Sequence, residues 1–180
     1  MKEKKDIVKS IVVLFVICLV VSTALAVVNS FTAPVSAANA AERENEARRA
    51  VIPDAADFRP VELALPDGVV SAYEGVDGSG ETLGYVFTLE GKGFDGTISV
   101  MCAIGTDGKI LRVRTLDVSS ETKTLGGKTA NPEYTDQYTG QDETLAGVNA
   151  ISGATITSTA YRGCVETAFA AFETIKEAGK

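Results

Sequence analysis

With 180 residues and a net charge of −7, the chain has room for one ordinary domain plus an appendage, and a general nucleic-acid-binding surface is excluded. It has no histidine, which removes His-based triads, most zinc enzyme sites and imidazole acid/base chemistry. Its three cysteines, Cys18, Cys102 and Cys164, lie far apart without a CxxC pair. No metal centre or iron–sulfur cluster is therefore expected; all three read as buried thiols, with a Cys102–Cys164 contact left open.

Residues 1–9 are basic, with Lys2, Lys4, Lys5 and Lys9. Ile11 to Val28 then carries no charge; as a helix such a run spans about 27 Å, enough for a bilayer core. The reading is a cytoplasmic N-terminus over 1–9 and a transmembrane helix over 10–31. The lysines mark the cytoplasmic side, so everything after the span is expected outside. A cleaved signal peptide with Val35-Ser36-Ala37 at its cleavage site is the competing reading, but the apolar run exceeds a usual signal core. Cys18 lacks the small preceding residue of a lipidated cysteine. Residues 32–52, rich in alanine, glutamate and arginine, predict a stalk helix with Pro34 near its start and Pro53 past its end.

Residues 53–180 form the globular part. Val69–Val76 and Leu83–Leu89 flank the turn Asp77-Gly78-Ser79-Gly80, and Thr97–Ile104 and Ile110–Val118 flank Thr106-Asp107-Gly108-Lys109. Ile98, Val100, Cys102 and Ile104 alternate onto one face. In the last strand Leu111, Val113 and Thr115 share one side and Arg112 and Arg114 the other. Gly91-Lys92-Gly93-Phe94-Asp95-Gly96 is a glycine-rich loop without the strand-to-helix crossover that dinucleotide binding needs. Ser119 to Ala150 has little periodicity, and connections of that length tend to be functional. Tyr161, Cys164, Val165, Ala168, Phe169, Phe172 and Ile175 recur at helical spacing, so a terminal amphipathic helix covers one face of the sheet. The fold class is α+β: a membrane helix and a stalk, then a mainly antiparallel sheet with a C-terminal helix.

Directly before that helix stands Ser152-Gly153-Ala154-Thr155, followed by Ile156, Thr157, Ser158 and Thr159. A loop–helix junction offers free N–H groups and the positive end of a helix dipole, which suits a phosphate. Gly153 allows positive φ and close approach of a ligand. The competing reading is a hydroxyl that merely caps the helix.

The motif resembles the flavinylation motif of the FMN-binding domains of the Rnf complex and the sodium-pumping NADH:quinone reductase. Glu121-Thr122-Lys123-Thr124-Leu125-Gly126 resembles that family's Glu-Thr-Pro-Gly-Leu-Gly, with Lys123 and Thr124 in place of Pro and Gly. The order of apolar span, Asn-x-Phe-Thr-Ala-Pro, Ala/Glu-rich helix and Val-Ile-Pro resembles the opening of the G subunit of the Rnf complex. The resemblance implies FMN held covalently through a phosphoester on Thr155, with Ser152, Gly153, Ala154, Thr157, Glu121, Thr122, Leu125 and Gly126 around it. Leu125 would then touch the flavin ring, and Gly126 and Gly127 would present backbone N–H groups to it. It also implies the other subunits of an ion-translocating ferredoxin:NAD oxidoreductase as partners and an FAD-dependent flavin transferase for maturation. No catalytic residue or substrate chemistry of the chain's own is expected. A free-standing extracytoplasmic flavin shuttle and a flavin-free anchored binding module remain alternatives.

Overall fold

The computed structural model describes residues 2–179. Two compact units divide the chain, Met1–Arg43 and Glu44–Lys180. Helix α1 runs unbroken over Lys2–Val51 with Pro34 inside it, so the expected span and stalk form one helix. Proline lacks the N–H that would bond four residues back. The alanine-rich sequence after it keeps helical propensity high enough to continue. In the first unit the apolar side chains from Ile11 to Phe31 are exposed, and the helix is long and apolar enough to cross a membrane. Cys18 is exposed with them, against the reading of three buried thiols. That part of the helix is unburied among the described residues.

The second unit is built on an antiparallel sheet in the order β1-β2-β3-β4-β5. Its strands are β1 (Asp57–Pro60), β2 (Val69–Val76), β3 (Thr82–Lys92), β4 (Thr97–Gly105) and β5 (Ile110–Asp117). The short edge strand β1 goes beyond the sequence reading, because a four-residue, mostly exposed segment has no apolar alternation to announce it. The β2–β3 turn is tied by Asp77, whose carboxylate accepts the N–H groups of Ser79 and Glu81 at 2.8 and 2.9 Å.

Helix α3 (Thr155–Ala178) lies on β3 and β4. Phe87, Leu89, Val100, Cys102 and Ile104 meet Tyr161, Val165, Ala168 and Phe172 there in one buried cluster. Each fully buried large apolar side chain contributes about 1.5–3 kcal/mol relative to exposure. The alternate residues Val86, Met101 and Ala103 face the end of α1, where Ala47, Val51 and Ile52 bury against them. Both sheet faces are therefore covered. Leu111 departs from its expected side: a register shift beside Ile110 leaves it 37% exposed while Ile110 and Val113 are buried.

The connection from Ser119 to Ala150 contains a 3-10 turn at Gly126–Ala130, a one-turn helix α2 (Pro132–Thr135) and a second 3-10 turn at Asp136–Tyr138. Tyr134 and Tyr138 pack edge-on or tilted against Tyr161 with ring centroids 5.3–5.6 Å away. They belong to the main core. Arg162 donates to the carbonyls of Leu145 and Thr144 at 3.1 and 2.7 Å and pins the end of the connection to α3.

Candidate functional site: a cleft at the start of the last helix

A cleft of about 320 Å³ opens where three segments meet. Phe94 comes from the β3–β4 turn; Glu121, Thr122, Leu125 and Gly126 from the loop after β5; Gly153, Ala154, Thr155, Ile156 and Thr157 from the start of α3. The volume lies at the lower end of the range of small-molecule sites, about 300–1,000 Å³. Phe94, Leu125 and Ile156 line it while being 68%, 42% and 56% exposed. Three large apolar side chains thus stand in water around one opening.

The start of α3 is uncapped by any side chain. Ala154 is the N-cap, with no side-chain cap hydrogen bond, and the first intrahelical bond runs from Ser158 N–H to the Ala154 carbonyl at 2.9 Å. The N–H groups of Thr155, Ile156 and Thr157 precede it and have no carbonyl within the helix. Gly153 holds φ +80°, which a side chain would strain, and Leu125 Cδ2 lies 3.3 Å from where its Cβ would stand.

The hydroxyls around the motif sort themselves by their partners. The buried Thr157 donates to Glu121 Oε2 at 2.6 Å. The buried Ser158 accepts the Ile151 N–H at 3.1 Å. Ser152 and Thr159 are exposed but stand outside the cleft lining, whereas Thr155 is exposed and inside it. Among the described residues its hydroxyl makes no hydrogen bond.

Glu121 joins the three segments. It is 5% exposed, and besides Thr157 it accepts the Asp95 N–H at 3.1 Å, with the N–H groups of Phe94 and Gly96 turned to it as well. Burial pushes its carboxyl up, but the Thr157 hydroxyl and the three backbone N–H groups outweigh burial and hold it below the ordinary glutamate value. Hydrogen bonds to the charged form have that effect. Glycine is required on both sides of it. A Cβ on Gly93 or Gly126 would run into the carboxylate, and on Gly126 it would stand 2.7 Å from Thr157 Oγ1.

All the expected site residues except Ser152 therefore line one cleft. Two details differ from the sequence reading. The Gly127 N–H is not offered to a ligand, because it donates to the Thr122 carbonyl at 3.0 Å and closes the loop's own turn. Phe94 was missed. Its signal was an aromatic residue isolated between Gly93 and Gly96, which makes a tight turn (Gly93 N–H to Gly96 carbonyl, 2.8 Å) with an apolar tip.

Residues 93–170 match the family model of the FMN-binding domain; all three cleft segments fall inside that range. Over 171 residues the chain is 34% identical to the G subunit of the ion-translocating oxidoreductase complex of Methanosarcina acetivorans, covering 89% of this chain and 91% of that one. The chain belongs to the family of Rnf G subunits. The corresponding G subunit of the Na⁺-translocating ferredoxin:NAD⁺ oxidoreductase complex of Acetobacterium woodii is 32% identical over 92% of this chain and 91% of its own length. That of the proton-translocating complex of Clostridium ljungdahlii is 27% identical over 82% and 81%. Both alignments cover four fifths or more of each chain.

Proposed function

We propose that this Rnf G subunit carries FMN through a phosphoester on Thr155 and passes electrons within an ion-translocating ferredoxin:NAD oxidoreductase complex. A single span anchors it, with the N-terminus cytoplasmic and the flavin domain outside. The observation that carries the reading is the selection among hydroxyls at the start of α3: the others are bonded inside the fold or stand outside the cleft, while Thr155 is exposed within it.

The residues fit the group. A phosphate on Thr155 would meet the free N–H groups of the first helical turn, which stabilise such an anion by ~0.3–1 kcal/mol near a surface. Phe94, Leu125 and Ile156 would give apolar surface to the ring. Glu121 accepts hydrogen bonds on both oxygens and holds the loops together as a carboxylate that stays ionised near neutral pH. When bound, FMN supplies the redox chemistry through its isoalloxazine ring. An FAD-dependent transferase would form the bond between the Thr155 oxygen and the FMN phosphorus with release of AMP, so the chain needs no catalytic residues for its own maturation. The flavin-free reading, in which Ser152–Thr155 caps the helix, is disfavoured by the absence of a side-chain cap on α3.

The test is to express the full chain with a flavin transferase and examine it by denaturing electrophoresis and peptide mass mapping. A fluorescent band and an FMN-phosphate adduct on Thr155 are expected. Thr155→Val should abolish both and leave the protein folded. An adduct that survives this change, or maps to Thr157 or Thr159, refutes the assignment.

A further inference from the structure

On the sheet face opposite α3, the last turns of α1 bury an arginine that forms no ion pair among the described residues. Arg48 is 8% exposed. Its Nη2 donates to Asn45 Oδ1 at 2.5 Å, its guanidinium lies 3.8 Å over the Tyr73 ring, and its Nε is buried without any hydrogen-bond partner. Neither nearby carboxylate, Glu44 nor the cleft-lining Asp57, forms an ion pair with it. Glu44, one turn back on the same helix, accepts from Ser71 and Thr88 at 3.0 and 3.1 Å; Asp57 accepts the Phe58 N–H at 2.8 Å. Among the described residues the two ion pairs are Arg162–Glu166 and Lys176–Glu173, so Arg48 is in neither.

A buried, unpaired guanidinium is costly, and aromatic contact recovers only part of that cost. The negative end of the α1 dipole favours cations in its last turn, where Arg48 and Arg49 both stand. That accounts for an exposed residue such as Arg49 but not for burying a second charge beside it. Both arginines line a cleft of about 410 Å³, together with Asn45, Pro53, Ala55, Ala56, Asp57 and Phe58. We propose that this cleft is an oxyanion-binding site in which Arg48, supported by Arg49, pairs with a carboxylate or phosphate group. Guanidinium suits both, because its planar fork matches either oxyanion. The proposal stands on the opposite face from the Thr155 cleft and is independent of the flavin reading.

The test uses the full chain in detergent, titrated with inorganic phosphate or with acetate at constant ionic strength made up with sodium chloride, while thermal unfolding is followed. A saturable rise in the midpoint is expected with at least one anion. Phosphate alone marks a phosphate site; acetate, alone or equally with phosphate, marks a carboxylate site. Arg48→Met should lose the response entirely, and Arg49→Gln should weaken it several-fold in apparent affinity. Without added anion, Arg48→Met should unfold at the same temperature as the parent or higher, since it removes a charge with no partner. A response that Arg48→Met retains, or no saturable response to either anion, overturns the proposal. So does a lower midpoint for Arg48→Met in chloride alone, because Tyr73 and Asn45 would then suffice to explain the arginine.

Discussion

Thr157→Val tests whether Glu121 holds the cleft together. The substitution keeps the branched shape and removes the hydroxyl that reaches Glu121 Oε2 at 2.6 Å. The bond is charge-assisted and buried, and losing one leaves a carboxylate oxygen without its donor, a cost of about 1.5–3 kcal/mol. For a domain of this size that is a fall in unfolding midpoint of roughly 5–12 °C. Circular dichroism of the full chain in detergent at neutral pH measures it, with Thr157→Ser as the control that keeps the hydroxyl and should lie close to the parent.

The pH dependence separates this from simple repacking. Glu121 is held below the ordinary glutamate value in the fold, so its stabilisation is complete above the unfolded carboxyl pKa of about 4.3 and is lost as pH falls through the lower, folded value. The gap between parent and Thr157→Val should therefore be widest near neutral pH. It should narrow on acidification towards the ~1 kcal/mol of a neutral hydrogen bond. A cost below about 0.5 kcal/mol at neutral pH, or a gap that stays constant or widens in acid, refutes the role given to Glu121.

Three further outcomes are expected. Leu125→Asp should still accept FMN on Thr155 but shift the flavin's fluorescence and reduction potential, because it brings a charge and water to the cleft mouth; unchanged values remove the loop from the site. Gly91→Ala should destabilise the domain by about 1–3 kcal/mol in chemical denaturation, since its Cβ would stand 2.6 Å from Cys164 Sγ and 3.3 Å from the Ala160 carbonyl. Protease added to intact spheroplasts should digest residues beyond the apolar span and spare the N-terminal segment; full protection would reverse the topology.

Strands β2 to β5 and helix α3 were legible because each buries one face against the other and writes its period into the chain. Ile98, Val100, Cys102 and Ile104 alternate into the core as their spacing requires. The failures lie where burial and period part company. β1 is too short and too exposed to show a pattern. Leu111 reads as inward by alternation, but the neighbouring register shift takes it out of phase. In the site, the resemblance drew attention to Glu121, Leu125 and Thr155, yet periodicity says nothing of which loops converge. That a carboxylate 36 residues before Thr157 would also bind the turn at Phe94–Gly96 is a tertiary fact. Its trace in sequence is only the pair of glycines, Gly93 and Gly126, that make space for it.

Buried charges on the two faces of the sheet are treated in opposite ways. Glu121 is ringed by donors from the Phe94–Gly96 turn and from helix α3, so every segment that forms the Thr155 cleft is tied to a group whose hydrogen bonds close within the domain. Such a lock is complete once the domain folds, and the Thr155 hydroxyl takes no part in it. Arg48 is also buried, but its Nε finds no acceptor, and among the described residues no carboxylate forms an ion pair with it. The same rule applies to both: a buried charge must be compensated. For Glu121 the compensation is internal, and the residue serves architecture. For Arg48 it has to come from outside the domain, which is why the open cleft beside it, and not the closed network on the other face, is where an incoming anion belongs.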